Sequence, residues 1–401
     1  LMTTAARTGP LEDLTIIDCT RALAGPFGAG LLADLGARVI KVEPPMGDGY
    51  RNTPPFLPDH SAPYEDGDAG TDFGAPFAAV NRNKRSVCLN LKDPEDKDVF
   101  LQLCDQADGI VENMRAGVME RLGLSYEVIS ARNPKIVYGC VRGFGDPRTG
   151  ESPYADWPSL DAAAQSFGGL VHANDGLVTP AIADVFPGTL MALGMVSAIH
   201  HAQRSGTGQF LDVAMYDAML AFQKSAVAQY DFTGKPNPAG LQRAMTLYPF
   251  DLFPAKDGRI SLAVAQPRHW DLLCAAMERG DMMTDKRCDT NAARLKNVDW
   301  VEAQIRLWTQ DHTRAELMEK LDGNVPAGPV QNMSDIYDDP HVEARAMLET
   351  CAPGGDNPDI RLAANPIKFS ATPTGLYQPP PTLGEHNAEV LAEFGINLPQ
   401  R

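Results

Sequence analysis

Asp184 lies in the run Ala181-Ile182-Ala183-Asp184-Val185-Phe186-Pro187-Gly188, an acid set in an apolar approach to a helix start. Taken alone it is most simply an N-cap, whose side chain accepts the first free amides and suits the helix dipole. The same amides can stabilise negative charge while that carboxylate takes part in acyl chemistry, so both roles stay open. A second feature is the stretch Asn81-Arg82-Asn83-Lys84-Arg85-Ser86, the densest basic cluster in an acidic chain. It can be a solvated strand edge that discourages pairing, or a landing site for phosphates by Lys point charge and Arg fork. A third, Gly25-Pro26-Phe27-Gly28-Ala29-Gly30, follows a strand and opens a helix, but its glycines are out of register with a dinucleotide fingerprint. Small residues there serve close packing, and a helix start near residues 22 to 28 can still hold an anion. His200 and His201 are adjacent, so on a helix they point about 100° apart and do not share a metal easily. With no HExxH, no Cys/His ligand spacing and no GxSxG elbow, the sequence predicts neither a metal site nor a serine triad.

The elements that must hold these residues follow from the apolar pattern. Leu14 to Asp18 and Val39 to Glu43 predict strands on either side of a helix over Phe27 to Leu35, a βαβ unit that needs a parallel sheet. Ser86 to Leu91, Gly109 to Asn113 and Ile136 to Val141 continue the strands, with a helix over Pro94 to Gln106, so the first 145 residues read as a doubly wound α/β layer. A Gly/Pro-rich loop from Gly143 to Pro158 follows, then a long helix from Asp184 to His201 beginning near Pro187, and residues 209 to 228 also read as helical. Between about 229 and 330 the pattern suits a smaller α+β domain, with a strand over Ile260 to Val264 and helices over Trp270 to Met277, Trp300 to Trp308 and Thr313 to Leu321. The Pro-rich tail is too poor in core to stand alone and is expected to pack back on the first domain. A chain of 401 residues has ample core for two or three domains at about 150 residues each. Its net charge of -17 makes nucleic acid and anionic membrane poor partners. Seven scattered cysteines without a CxxC pair, and an opening segment without a signal-peptide run, predict a cytoplasmic protein. The most apolar later window, Thr189 to Ala202, is shorter than the roughly 18 residues a membrane span needs.

Over nearly the whole chain the sequence resembles the class III CoA-transferases, the group of formyl-CoA transferase, carnitine CoA-transferase and α-methylacyl-CoA racemase. The likeness is carried by Leu14 to Asp18 with Ala24-Gly25-Pro26, Leu35 to Glu43, Asn83-Lys84-Arg85-Ser86, Val111-Glu112-Asn113 with Arg121-Leu122-Gly123, and Asn133-Pro134. It continues through Asp184, Gly206-Thr207-Gly208-Gln209, Pro326 to Val330 and Leu383-Gly384-Glu385-His386. The resemblance implies an α/β fold with a Rossmann-like large domain formed by both chain ends (1–225 and 331–401), a smaller α+β domain (226–330), and an interlocked homodimer. It implies that Asp184 is the catalytic aspartate and that Arg21, Leu23, Ala24, Lys41, Asn83, Lys84, Arg85, Asn113 and Arg121 match CoA contacts. Coenzyme A or acyl-CoA is then a substrate alongside small carboxylic acids, with no tightly bound cofactor and no metal.

The reaction the resemblance implies moves CoA from an acyl-CoA donor to a carboxylic acid through aspartyl anhydride and aspartyl-CoA thioester intermediates. Two departures narrow it. The racemase branch uses a His and Asp pair, and while Asp161 can stand for the aspartate, the histidine position carries Phe144, which cannot hold a proton. The formyl-CoA transferase branch has a glycine-rich loop where residues 232 to 250 here hold only Gly234 and Gly240, which speaks against formyl or oxalyl specificity. Asp161 and Arg142 are candidates for positioning the substrate. Arg142, Arg243 and His172 are candidates for holding a second carboxylate, as succinyl-type donors or branched C4 to C5 diacids would need, with Arg115 and Arg51 ambiguous. Rival readings are an acyl-CoA epimerase or racemase, an intramolecular CoA transferase, and a CoA-binding protein without turnover.

Overall fold

Short apolar runs make the strands that carry the site. The computed structural model describes residues 7–57, 73–240, 246–352 and 358–397. Thr15–Asp18 (β1), Arg38–Glu43 (β2), Lys84–Cys88 (β3), Gly109–Glu112 (β4), Val137–Arg142 (β5) and Phe210–Ala214 (β6) pair in parallel in the order β3-β2-β1-β4-β5-β6. Successive side chains point to opposite faces, so each face receives its own core. The row Ile40, Ile17, Ile110, Tyr138, joined strand to strand, faces one layer with Phe100 and Val390. The neighbouring residues Val39, Ile16 and Val137 face the other layer with Leu32, Met191 and Met195.

The first layer contains Pro94–Asp105 (α3) and Tyr126–Arg132 (α5), and the second contains Ala24–Asp34 (α1) and the long helix Ile182–Ser205 (α8). Between them in the chain lie Ala75–Asn81 (α2), Val118–Arg121 (α4), Asp161–Phe167 (α6) and Leu170–Asn174 (α7), and after β6 come Met215–Phe222 (α9) and Lys224–Thr233 (α10). Two expectations change here. Residues 209 to 228 are not one helical stretch, because Phe210 to Ala214 pair with Tyr138 to Arg142 as a sixth strand, a long-range pairing that local pattern does not show. The long helix starts at Ile182, with Pro187 inside it, and is longer than the apolar window suggested. By length and composition it could cross a membrane, yet Met191, Met195, Ala198 and Ile199 are buried in the core of the large unit, where it acts as a core helix.

Chain contacts divide the molecule into one unit of Leu1–His172, Gly176–Pro236 and Glu343–Arg401, and another of Ala173–Asp175 and Asn237–Val342. The smaller unit has an antiparallel sheet of Phe250–Ala255 (β7), Gly258–Ala263 (β8) and Ala327–Pro329 (β9). Phe253, Ile260, Leu262, Trp270, Leu273, Val301, Ile305 and Leu317 form its core. In the larger unit the returning tail adds an antiparallel pair, Leu348–Cys351 and Ile360–Ala363, and a final helix, Asn387–Glu393. All seven cysteines are free thiols.

Candidate active site

The strand order reverses between β1 and β4, and in such sheets the crevice beyond the carboxyl ends of those two strands is where ligands bind. The turn after β1 is held from several sides. Asn113, just after β4, accepts from the Arg21 amide (2.8 Å) and donates to the Arg21 carbonyl (2.7 Å). Asp18 accepts from the Thr20 amide (2.9 Å) and also from its hydroxyl. Asp48 accepts from the Ala22 amide (3.1 Å), which fixes Ala22 in the left-handed region at φ 62. Leu23 then precedes α1, and Ala24 opens it.

Beneath this turn the basic residues are consumed. Lys84 is wholly buried, and its three donors go to Asp18 (2.9 Å), the Pro26 carbonyl (2.8 Å) and Asn81 (2.9 Å). Burial pulls its pKa down to about 8, opposed by Asp18. Lys41 is equally buried and donates to the Thr20 carbonyl and to Asp48, each at 3.0 Å. Asn83 is spent on Asp34, the Gly375 carbonyl and the amides of Tyr377 and Gln378. Arg82 pairs with Asp34, and Arg85 with Glu389 and Glu393 of the last helix. The phosphate landing site expected from residues 82 to 85 is therefore corrected: an ammonium with every proton donated internally has none to offer a phosphate. Lys41 and Lys84 support the turn from below instead, while Asn83 ties the end of α1 to the returning tail. Arg21, Arg115 and Arg121 are different, being exposed and held by no ion pair among the described residues. They follow β1 and β4, on the two sides of the switch point.

Asp184 stands beside this turn because two helices cross at glycine. A Cβ on Gly188 would lie 2.4 Å from the Ala24 carbonyl, and one on Gly28 would lie 2.5 Å from the Gly188 carbonyl, so α8 meets the first turn of α1 backbone to backbone. Ala181, not Asp184, precedes the first helical residue of α8, and Asp184 is the third residue within the helix. Its carboxylate is half-buried and accepts no hydrogen bond from any described residue, which overturns the capping role. The cap comes from another helix: Asp161 Oδ1 accepts from the Ala183 amide (2.9 Å). Gln165, one turn further along α6 and fully buried, donates to Asp161 Oδ2 (2.8 Å) and clamps Val178 through both its amide and its carbonyl (2.9 Å each). Burial, with Asp161 adding to it, pushes the Asp184 carboxyl up to about 7. Its field also raises the Tyr50 phenol, after burial.

Other candidates fall away from the acid pair. Arg142 is buried between Glu112 (2.6 Å) and Asp146, so its charge is already matched twice over and it is not the free holder of a substrate carboxylate that was expected. Arg51 is buried on Glu43 (2.7 Å), His172 is exposed, and Arg243 lies outside the described residues. Phe144 packs in an aromatic cluster with Tyr154, Phe167 and Tyr216. Gln165, Asp48 and Tyr50 were not singled out from sequence. Only Gln165 carried a signal, its i, i+4 spacing from Asp161 on one helix face.

The model of CoA-transferase family III matches residues 11–387. The chain belongs to that family. The enzyme is a class III acyl-CoA:carboxylate CoA-transferase. It is 41% identical over 396 residues to the succinyl-CoA:mesaconate CoA-transferase of Haloarcula marismortui, covering 97% of each chain. It is 35% identical to the succinate–glutarate CoA-transferase of Agrobacterium fabrum, covering 97% of this chain and 96% of that one. Among solved structures, a CaiB/BaiF family protein from Brucella suis superposes with a TM-score of 0.83 at 30% identity, over 96% of this chain and 100% of that one.

Proposed function

We propose that this transferase moves CoA between a dicarboxylic acyl-CoA and a free dicarboxylate, with Asp184 as the covalent carrier. The observation that carries the reading is the Asp184 carboxylate itself, free of hydrogen bonds from the described residues in the first turn of α8 and set against the turn at the switch point. An Asp184 oxygen attacks the donor thioester carbonyl, the C–S bond breaks, and a mixed anhydride and CoA thiolate form. The thiolate attacks the aspartyl carbonyl, releases the donor acid, and leaves an aspartyl-CoA thioester. The acceptor carboxylate attacks that thioester to give a second anhydride and thiolate. Attack of the thiolate on the acceptor's acyl carbonyl completes the new acyl-CoA and restores the aspartate. Both intermediates hydrolyse, so the site must exclude water.

In this reading CoA lies along the Arg21 to Ala24 turn and past Asn113, with its phosphates toward Arg21 and Arg121. Dicarboxylate selectivity is supported by relatives whose names give mesaconate, succinate and glutarate. Epimerisation finds no support, since Phe144 offers no proton and is packed among aromatic rings. In this reading the enzyme is a homodimer, which is supported by α10: it buries none of its residues, yet exposes Val227, Tyr230 and Phe232.

The test is a panel of succinyl-CoA with mesaconate, glutarate, oxalate or acetate, read by mass spectrometry of the CoA products. Exchange with the C4 to C5 diacids is expected, together with an acyl adduct on Asp184 trapped by hydroxylamine. Asp184→Ala should fold and bind CoA while exchange falls at least ~1,000-fold, in keeping with loss of a nucleophile. Near-normal exchange in that variant would remove Asp184 from the mechanism.

A further inference from the structure

The first turn of α8 has its own backbone bonds from the Asp184 and Val185 amides to the Ala181 carbonyl, and is also held from outside the helix. Ala181 has no side chain able to bond the free amides, and Pro187 has no N–H to donate to the Ala183 carbonyl, so one backbone bond of the first turn is missing. What replaces them is a chain of four hydrogen bonds running from the turn into α6 and back into the loop before α8: Ala183 amide to Asp161, Asp161 to Gln165, and Gln165 to both backbone groups of Val178. Gln165 has no exposure to solvent, so this is a built connection and not a surface contact. Asp184 is the next residue after the one so anchored.

We infer that Asp161 and Gln165 are positioning residues for the transfer: together they lock the approach to α8 and its first turn, and so fix the Asp184 carboxylate for attack. The inference rests on Asp184 being the carrier and deepens that reading. Neither side chain need touch substrate. Misplacing a reacting group by about 1 Å costs on the order of 100-fold in rate, so a turn that drifts loses turnover before it loses binding. Asp161 also acts through its charge. Among the described residues of the elements packed around Asp184, the titratable groups coupled to it are Asp161 of α6 and the Tyr50 phenol. The first turn of α1 offers none, while Arg142 of β5 is engaged with Glu112 and Asp146, Asp212 of β6 with the Asp146 amide and Thr149, and Asp217 of α9 is raised by its own burial and then by Asp212. Removing the Asp161 charge therefore makes Asp184 easier to ionise.

The experiment compares Asp161→Asn, Gln165→Met and Asp184→Ala as full-length enzymes, using succinyl-CoA and mesaconate across pH 5 to 9. Asp161→Asn keeps an oxygen for the Ala183 amide, removes the charge, and sets an amide against the Gln165 amide. Its kcat is expected to fall roughly 10- to 100-fold with KM for succinyl-CoA within about threefold, and the acid limb of kcat/KM to move down by about one pH unit. Gln165→Met keeps the charge and loses the clamp, so kcat falls similarly while the limb stays in place. An acid limb unmoved in Asp161→Asn, or wild-type kcat in Gln165→Met, would overturn the inference. Should Asp161→Asn not fold, Gln165→Met decides alone. Exchange surviving in Asp184→Ala would instead sink the carrier reading, so the two failures are separate.

Discussion

An aspartate that attacks a thioester must be ionised, and its surroundings here oppose that. Asp184 is raised from an ordinary value of 3.8 to about 7, first by burial and then by Asp161. On the rate side, kcat/KM should climb with pH through about 7 and level off above it, because only the carboxylate is a nucleophile. On the stability side the sign is opposite. Between the two pKa values the unfolded chain has released this proton and the folded one has kept it, so rising pH works against folding in that window. Asp184→Asn should therefore be more stable than the parent at pH 8, with the gain shrinking toward zero as pH falls to about 4. The slope is bounded by about 1.4 kcal/mol per pH unit. Thermal melts of both proteins across pH 4 to 8 read it, and a gain that grows toward low pH would contradict the burial of this carboxylate. The residue type and its apolar setting were legible in sequence, but its place in the helix was not. Pro187 drew the expected start a turn too late, and the true cap is Asp161, 22 residues before the amide it serves.

Two helices position that carboxylate, and their crossing allows a direct test. Gly188 and Gly28 bring α8 and α1 together closely enough that an added Cβ meets backbone and not a movable side chain. Gly188→Ala places that carbon 2.4 Å from the Ala24 carbonyl, so one helix must shift. The expected outcome is a stability loss of about 1 to 3 kcal/mol by denaturant titration. Turnover should drop more than tenfold, because both the Asp184 turn and the Arg21 to Ala24 turn sit at the crossing. Unchanged activity would mean that neither turn depends on it. The parallel sheet itself was readable, since β1, β2, β4 and β5 are apolar runs separated by turn residues. β6 was not, because Phe210-Leu-Asp-Val-Ala gains its strand character from pairing with β5. The basic cluster was misread for a similar reason: nothing local to Lys84 announces that Asp18, 66 residues away, will take its charge.

At the scale of the molecule, the tail is tied to the strand it follows by hundreds of residues. Asn83 holds Tyr377 and Gln378, and Arg85 holds Glu389 and Glu393, contacts that sequence pattern could suggest only as a tail lacking its own core. What one chain leaves uncovered is equally informative. The α10 helix has ten residues and buries none of them, whereas isolated helices shorter than about 12 to 15 residues are marginal in water. Phe232 is 90% exposed and Tyr230 56%, and Leu220 and Phe222 of the adjoining α9 are exposed as well. The homodimer proposed above would cover such a surface with the same apolar residues of a second copy. Light scattering after size exclusion should give a dimer for the parent. Tyr230→Ser combined with Phe232→Glu should give a monomer, because two desolvated carboxylates would have to enter one interface. A parent that runs as a monomer, or a double variant that remains a dimer, would place the dimer contact elsewhere or remove it. Loss of activity in the monomeric double variant, with the parent active at the same concentration, would further show that the site needs both copies.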